Sequence, residues 1–253
     1  METGTTVKFS PDTPQRVVVK GYDWGVGLCT AILTLEQPAA PEAVNAEIFE
    51  QVVEERESFD WATFQPEHIV IRVPRTVRDA YVCSPDGARS TQPDCYVRVE
   101  FACTPATTPA CFDLHKQRSS WCDPYRLLYT VNGETFAPPV DLNHARLPQL
   151  EPFCMEQSFT GSEDRTLKYA YYEPEEAKAA PGKKLPLVIW LHGAGEGGTN
   201  TFLPLLGNKA TALASPEFQQ AMGGAAYLLV PQTNGFWMEY DLSLIHISEP
   251  TRR

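Results

Sequence analysis

The residues whose types and spacing could do chemistry lie in one loop, His192-Gly193-Ala194-Gly195-Glu196-Gly197-Gly198. The loop follows directly on an apolar run, residues 185–191 (LPLVIWL). Glycine at 193, 195, 197 and 198 lets the backbone turn sharply and expose its N–H groups. N–H groups exposed at the end of a strand can stabilise a developing oxyanion, often the largest electrostatic contribution to an acyl transfer. A phosphate loop would need G-x-x-x-x-G-K-[ST], which does not occur. Gly193, Gly195 and Gly198 do satisfy the G-x-G-x-x-G spacing of a dinucleotide site. There Glu196 would repel a pyrophosphate, and no clear helix follows. A structural turn is the bland alternative.

Nothing else in the chain has the spacing of a site. The seven cysteines contain no C-x-x-C pair, and Cys95, Cys103 and Cys111 stand eight apart, which is not metal-ligand spacing. Five of them (Cys83, Cys95, Cys103, Cys111, Cys122) fall within residues 83–122, with Cys29 and Cys154 outside. Two readings stay open: disulfides pinning a loop of an exported domain, or small buried thiols of a cytoplasmic one. His68, His115 and His144 have no partner at ligand spacing. Trp24 and Trp61 suit core or interface, and Trp237 suits the core or the site rim. The acidic stretch Glu47–Glu57 reads as a solvated face.

The composition narrows the class. The chain has 253 residues, 43% of them apolar, which supports a packed core and two modest domains. A formal net charge of −11 argues against nucleic acid and against an anionic membrane surface as partners. No apolar run approaches the ~20 residues of a membrane helix, and residues 1–11 carry no signal-peptide core. The expectation is a soluble protein, cytoplasmic or exported with its signal upstream of this start.

Elements that would position the loop follow from periodicity. Residues 16–20, 30–35, 68–73, 96–101 and 126–131 are short and rich in β-branched or aromatic residues, as strands are. Residues 48–56 fit a strand or a short helix. Trp24-Gly25, Pro85-Asp86-Gly87 and Asn132-Gly133 mark turns, the last a type I′ hairpin signal. Six or seven short strands predict an immunoglobulin-like β-sandwich over residues 1–150. Pro138-Pro139, Pro148 and Pro152 read as a connector. Residues 151–241 then show strand candidates at 166–172, 185–191 and 225–230, with a charged turn at 173–182. Continuous apolar character at 185–191 predicts burial on both faces of a parallel sheet. The strand–helix–strand rhythm predicts a partial α/β domain.

These residues carry a resemblance. Residues 185–240 resemble α/β-hydrolase esterases of the prolyl-oligopeptidase-like, predicted-peptidase kind, through His192–Glu196, Asn208-Lys209 and the strand Tyr227–Gln232. Gly21-Tyr22-Asp23-Trp24-Gly25 is similar to the start of the immunoglobulin-like domain that precedes some of these esterases. The resemblance implies an all-β immunoglobulin-like sandwich followed by the first part of an α/β-hydrolase domain. It implies hydrolysis of a small-molecule or carbohydrate-linked carboxylic ester through an acyl-enzyme, with no metal or organic cofactor. The loop His192–Gly195 would form half of an oxyanion hole, with the backbone of Ala194, then Gly193, as donors. His192 and Glu196 would support the loop. The role of the sandwich is left open between packing over the site, binding a carbohydrate and mediating oligomer contacts.

The family's nucleophile elbow is missing. No G-x-S-x-G occurs, and Ser84, Ser162 and Ser215 lack the flanking glycines of a nucleophile elbow. Nucleophile and triad are therefore expected outside this chain, which alone should be inactive. Residues 242–252 (LSLIHISEPTR) resemble the translation of a sequencing-library adapter, so residues 242–253, with His246 and Ser248, are set aside as an artefactual tail. Three functions remain distinct at this point: serine esterase, serine peptidase of the prolyl-oligopeptidase type, and a non-enzymatic binding module built on the sandwich.

Overall fold

The structure is a computed structural model that describes residues 7–60, 62–63, 68–114, 116–161, 166–180 and 182–237. Trp61, His115, Ser162 and the tail 242–253 lie outside them. The chain forms two compact units. One comprises Met1–Lys20, Val26–Cys111 and Trp121–Pro148; the other comprises Gly21–Gly25, Phe112–Ser120 and Gln149–Arg253.

The first unit is all β, as its sequence pattern suggests. One sheet orders β1 (Arg16–Tyr22), β2 (Gly25–Ala39), β6 (Asp94–Phe101) and β5 (Val77–Cys83) as β1-β2-β6-β5. The other orders β3 (Phe49–Phe59), β4 (His68–Pro74), β9 (Tyr125–Val131) and β10 (Glu134–Phe136) as β10-β9-β3-β4. Period-two alternation decides which side chains go inward: Val17 and Val19 are buried while Arg16 and Lys20 are exposed. Between β9 and β10, Asn132 and Gly133 both take positive φ (52° and 74°) and Glu134 pairs with Val131, the two-residue hairpin that Asn-Gly signals.

One expectation for this unit fails. Glu47–Glu57 is not a solvated face. Residues 49–59 form strand β3, and its period sends Val52, Glu54 and Arg56 inward. Glu54 is fully buried because partners meet it there: Arg56 Nη1 at 2.6 Å, Arg75 Nη1 at 2.5 Å and the Tyr125 hydroxyl at 2.9 Å.

In the second unit, β11 (Phe153–Thr160), β12 (Thr166–Tyr172), β13 (Leu187–Ile189) and β14 (Tyr227–Gln232) form a sheet of order β11-β12-β14-β13. The helices are α1 (Glu175–Ala179), α2 (Phe202–Leu206) and α3 (Pro216–Ala221). This overturns the expected partial α/β-hydrolase domain. Two of the three strand pairings are antiparallel, and only β13 runs parallel to β14. The helices are five or six residues long, too short to form a covering layer. Pro204, Gly207, Pro216 and Gly223-Gly224 interrupt the connection from β13 to β14, so no long helix can form there.

The apolar run 185–191 is also corrected. Only Leu187–Ile189 is strand, and it is the last strand of its sheet. Leu187, Ile189 and Leu191 recur at every second residue, hence on one face, and stay 54%, 40% and 46% exposed, so the run is not buried on both faces. The turn expected at 173–182 contains α1, while the strand at 166–172 forms as β12 over the same residues.

Candidate functional site

The loop after β13 is built around one carboxylate. Glu196 Oε2 accepts the Gly193 N–H at 2.8 Å, and Oε1 accepts Asn208 Nδ2 at 2.8 Å. Gly207 lies so close to Oε1 that a Cβ would collide with it. The Glu196 carbonyl accepts Gln232 Nε2 at 2.8 Å. The loop is thus tied to residue 208 and to the end of β14, which carries Gln232. Burial raises the Glu196 carboxyl above its usual range, against the lowering effect of the Gly193 and Asn208 hydrogen bonds.

His192 holds the other end of the loop. It is 4% exposed and packs its ring against Trp237 with centroids 4.8 Å apart. The Thr233 N–H reaches Nε2 at 3.2 Å, so Nε2 is an acceptor. Nδ1 then carries the proton and donates to the Gly193 carbonyl at 2.9 Å. Trp237 Nε1 donates to the His192 carbonyl at 2.9 Å, and Gly198 N–H to the Thr233 carbonyl at 2.7 Å. Burial lowers the imidazole's proton affinity, only partly offset by the bond to Gly193.

A third support comes from far upstream. Strands β7 (Ala110–Asp113) and β8 (Arg118–Trp121) form a two-stranded ribbon. Ser119 N–H donates to the Gly195 carbonyl at 2.6 Å. Gly195 has φ of +90°, and a Cβ there would stand 2.8 Å from the Phe112 ring. Both facts require glycine at 195.

Among the sequence-derived site residues, His192, Gly193, Ala194 and Glu196 therefore stand together, with Asn208 and Gln232 joining them. Gly193 has its N–H committed to Glu196. Ala194 is exposed, and its N–H meets no acceptor among the described residues. Thr233, Phe112 and Ser119 are supports that sequence reasoning did not find. Thr233 directly follows Pro231-Gln232 and could have been included with it. Nothing about Phe112 or Ser119, some eighty positions earlier, points to this loop.

Other candidates are occupied elsewhere. Ser215 caps α3 by accepting the Phe218 N–H at 3.2 Å. Ser84 bonds to Asp86 and to the Ala88 carbonyl within the turn after β5. His144 pairs with Asp141 at 2.6 Å on the surface. Trp24 stacks on Tyr22 with centroids 4.9 Å apart. Among the described residues no group of His, Cys, Asp or Glu could hold a metal ion, and no helix is long and apolar enough to cross a membrane.

No protein-family model matches this sequence, and no curated protein matches it. Among solved structures, the fold is similar to a crystal structure described as a thermostable esterase, with a TM-score of 0.58 at 18% sequence identity. The match covers 87% of this chain and 57% of that one, so this chain spans a little over half the neighbour's length. At this identity the likeness is one of fold.

Proposed function

We propose that this chain supplies an oxyanion-stabilising loop to a carboxylic-ester hydrolase that works through a serine acyl-enzyme, with the Ala194 N–H as donor. The observation that carries the reading is that N–H: exposed and without an acceptor among the described residues, in a loop held at Gly193 by Glu196 and at His192 by Thr233 and Trp237. When a hydroxyl attacks an ester carbonyl, negative charge moves onto the carbonyl oxygen. A donor fixed beforehand stabilises that charge without reorganising at the moment of reaction. The likeness of fold to an esterase supports the same chemistry.

Each neighbour then has a supporting part. Glu196 takes Gly193 out of competition and leaves Ala194 as the open donor. His192 is a neutral brace, because both of its nitrogens are engaged with the backbone. Ser84 and Ser215 serve a turn and a helix cap, and the sequence holds no G-x-S-x-G, so in this reading the nucleophile and its base are supplied by polypeptide outside it.

The test is to follow the reading frame of the source DNA past Asp241, express the extended polypeptide and label it with a fluorophosphonate. The expected outcome is one labelled serine within G-x-S-x-G. Ala194→Pro, which deletes the N–H, should then lower kcat by about 100-fold or more while Ala194→Gly does not. An extended frame with no labelled serine overturns the reading. So does an Ala194→Pro enzyme that folds and retains full kcat.

A further inference from the structure

The β7–β8 ribbon that presents Phe112 and Ser119 to Gly195 carries a cysteine on each strand's base. Cys111 lies in β7, and Cys122 directly follows β8. Cys122 N–H donates to the Pro109 carbonyl at 2.8 Å, so the strands are still paired where Cys122 stands. Pro109 is two residues from Cys111, and a two-residue period returns a side chain to the same face of a strand. Both cysteines are buried, 8% and 2% exposed. Their sulfurs meet: the two thiols are hydrogen-bonded to one another. That bond, followed by burial, pushes the Cys122 thiol far above its usual range.

The neighbouring cysteines differ. Cys29 donates to the Val18 carbonyl at 3.4 Å and Cys103 to the Leu28 carbonyl at 3.3 Å, so each is turned to the backbone. Cys83 is buried, and its thiol is pushed up to about 11.

We propose that Cys111 and Cys122 are a disulfide-forming pair that closes the base of this ribbon when a low-molecular-weight disulfide is the oxidant. The thiolate of one cysteine attacks the reagent's S–S bond and expels one reagent thiol, giving a mixed disulfide. The second cysteine, as thiolate, attacks the protein sulfur of that mixed disulfide and expels the other reagent thiol. One protein S–S bond forms, one reagent S–S bond breaks, and the two protons end on the released thiols. Because both cysteines are buried in the folded ribbon and out of reach of a reagent, the exchange proceeds while the chain folds and not in the finished ribbon. The consequence is local: the linkage shortens the loop left free in the unfolded chain and holds Phe112 and Ser119 at their places against Gly195.

The full chain is refolded from urea in glutathione with its disulfide, or in reductant alone, then alkylated and digested with trypsin without reduction. The expected product links the peptide of residues 99–116 to that of residues 119–126, and it persists in Cys103→Ser, which removes the other cysteine of the first peptide. The oxidised protein should melt about 5–10 °C above the reduced one. Cys111→Ser keeps a hydroxyl for the bond to Cys122 and should abolish both the linked species and the shift. Alkylation of Cys122 to completion after oxidative refolding would overturn the proposal. So would pairing of Cys122 with any other cysteine. If Cys111→Ser does not fold, the peptide linkage in the unaltered chain still decides.

Discussion

Each unit of this molecule fixes a glutamate through hydrogen bonds, and the two are held in opposite ways. Glu54, in β3, is fully buried and meets two guanidinium groups and a phenol hydroxyl. Burial pushes its carboxyl up, while Arg75 and then Arg56 pull it down. The guanidiniums are anchored in turn, Arg75 on the Leu28 carbonyl at 2.6 Å and Arg56 on the Ala106 carbonyl at 3.0 Å. Among the described residues Glu196 meets no cation. Its partners are a backbone N–H and a side-chain amide, and it is only half-buried. The first arrangement engages both carboxylate oxygens with cations, although the Nε of Arg56 and that of Arg75 stay buried without a hydrogen-bond partner among the described residues. The second spends a carboxylate to shape a loop and leaves the next N–H, that of Ala194, open. The difference lies in the partners: cations surround the buried carboxylate, while neutral donors hold the half-buried one.

The same substitution in both places is the sharpest way to break this comparison. Glu54→Gln removes the charge between two buried guanidiniums and should cost about 3–5 kcal/mol, read as a lowered urea midpoint. Replacing Glu54, Arg56 and Arg75 together by apolar residues of similar volume should restore most of that loss. If Glu54→Gln is tolerated within a few tenths of a kcal/mol, the cluster is not what closes the first unit.

Glu196→Gln keeps one oxygen for a donor but turns an amide toward the other. The expected loss is about 1 kcal/mol, the ordinary value of one neutral hydrogen bond. Removing the charge works in the opposite direction, since burial disfavours it. Faster amide exchange at Gly193 should accompany the loss. An effect as large as that at Glu54 would erase the distinction between the two glutamates.

The smallest expected effect is one of pH. Burial depresses the His192 imidazole below its ordinary value of 6.5, so the folded chain binds fewer protons there than the unfolded chain. The stability that this neutral imidazole contributes is present above about pH 6.5 and is lost as pH falls through the depressed folded value. Glu196, with a raised carboxyl, has the opposite dependence above its ordinary 4.5, so the sum is shallow. His192→Asn should remove the histidine's part, leaving a stability difference between the two proteins that shrinks as pH falls below 6.5. A difference that stays constant from pH 8 to 5 would show that His192 does not titrate against folding.

Much of the local structure was legible from residue types. Asn132-Gly133 dictated its turn because both residues tolerate positive φ. The alternation in Arg16–Lys20 and the β-branched and aromatic content of Thr166–Tyr172 were enough to mark strands. The loop His192–Glu196 stood out because glycines at that density serve a special backbone path. The reading failed where the answer depends on what packs against a strand's faces. The run holding Leu187, Ile189 and Leu191 looks like a strand covered on both faces, yet the face these three alternate residues share stays exposed. Glu54 looks like a surface acid, and only the arrival of Arg75 and Tyr125 makes its burial tolerable. The expected α/β layer failed for a related reason. Proline and glycine between β13 and β14 limit the helices to one or two turns, and two antiparallel pairings replace the parallel ones.

By itself the sequence determined an all-β first unit, the turns between its strands and a glycine-rich loop after an apolar strand. These follow from φ preferences and from periods of two residues, which act over short distances along the chain. Tertiary structure alone decided that Gly193 spends its N–H on Glu196 while Ala194 keeps its own, that Ser119 reaches the Gly195 carbonyl, and that Cys111 meets Cys122. Those outcomes depend on which donors and acceptors long-range pairing brings within about 3 Å, and residue type cannot encode that distance.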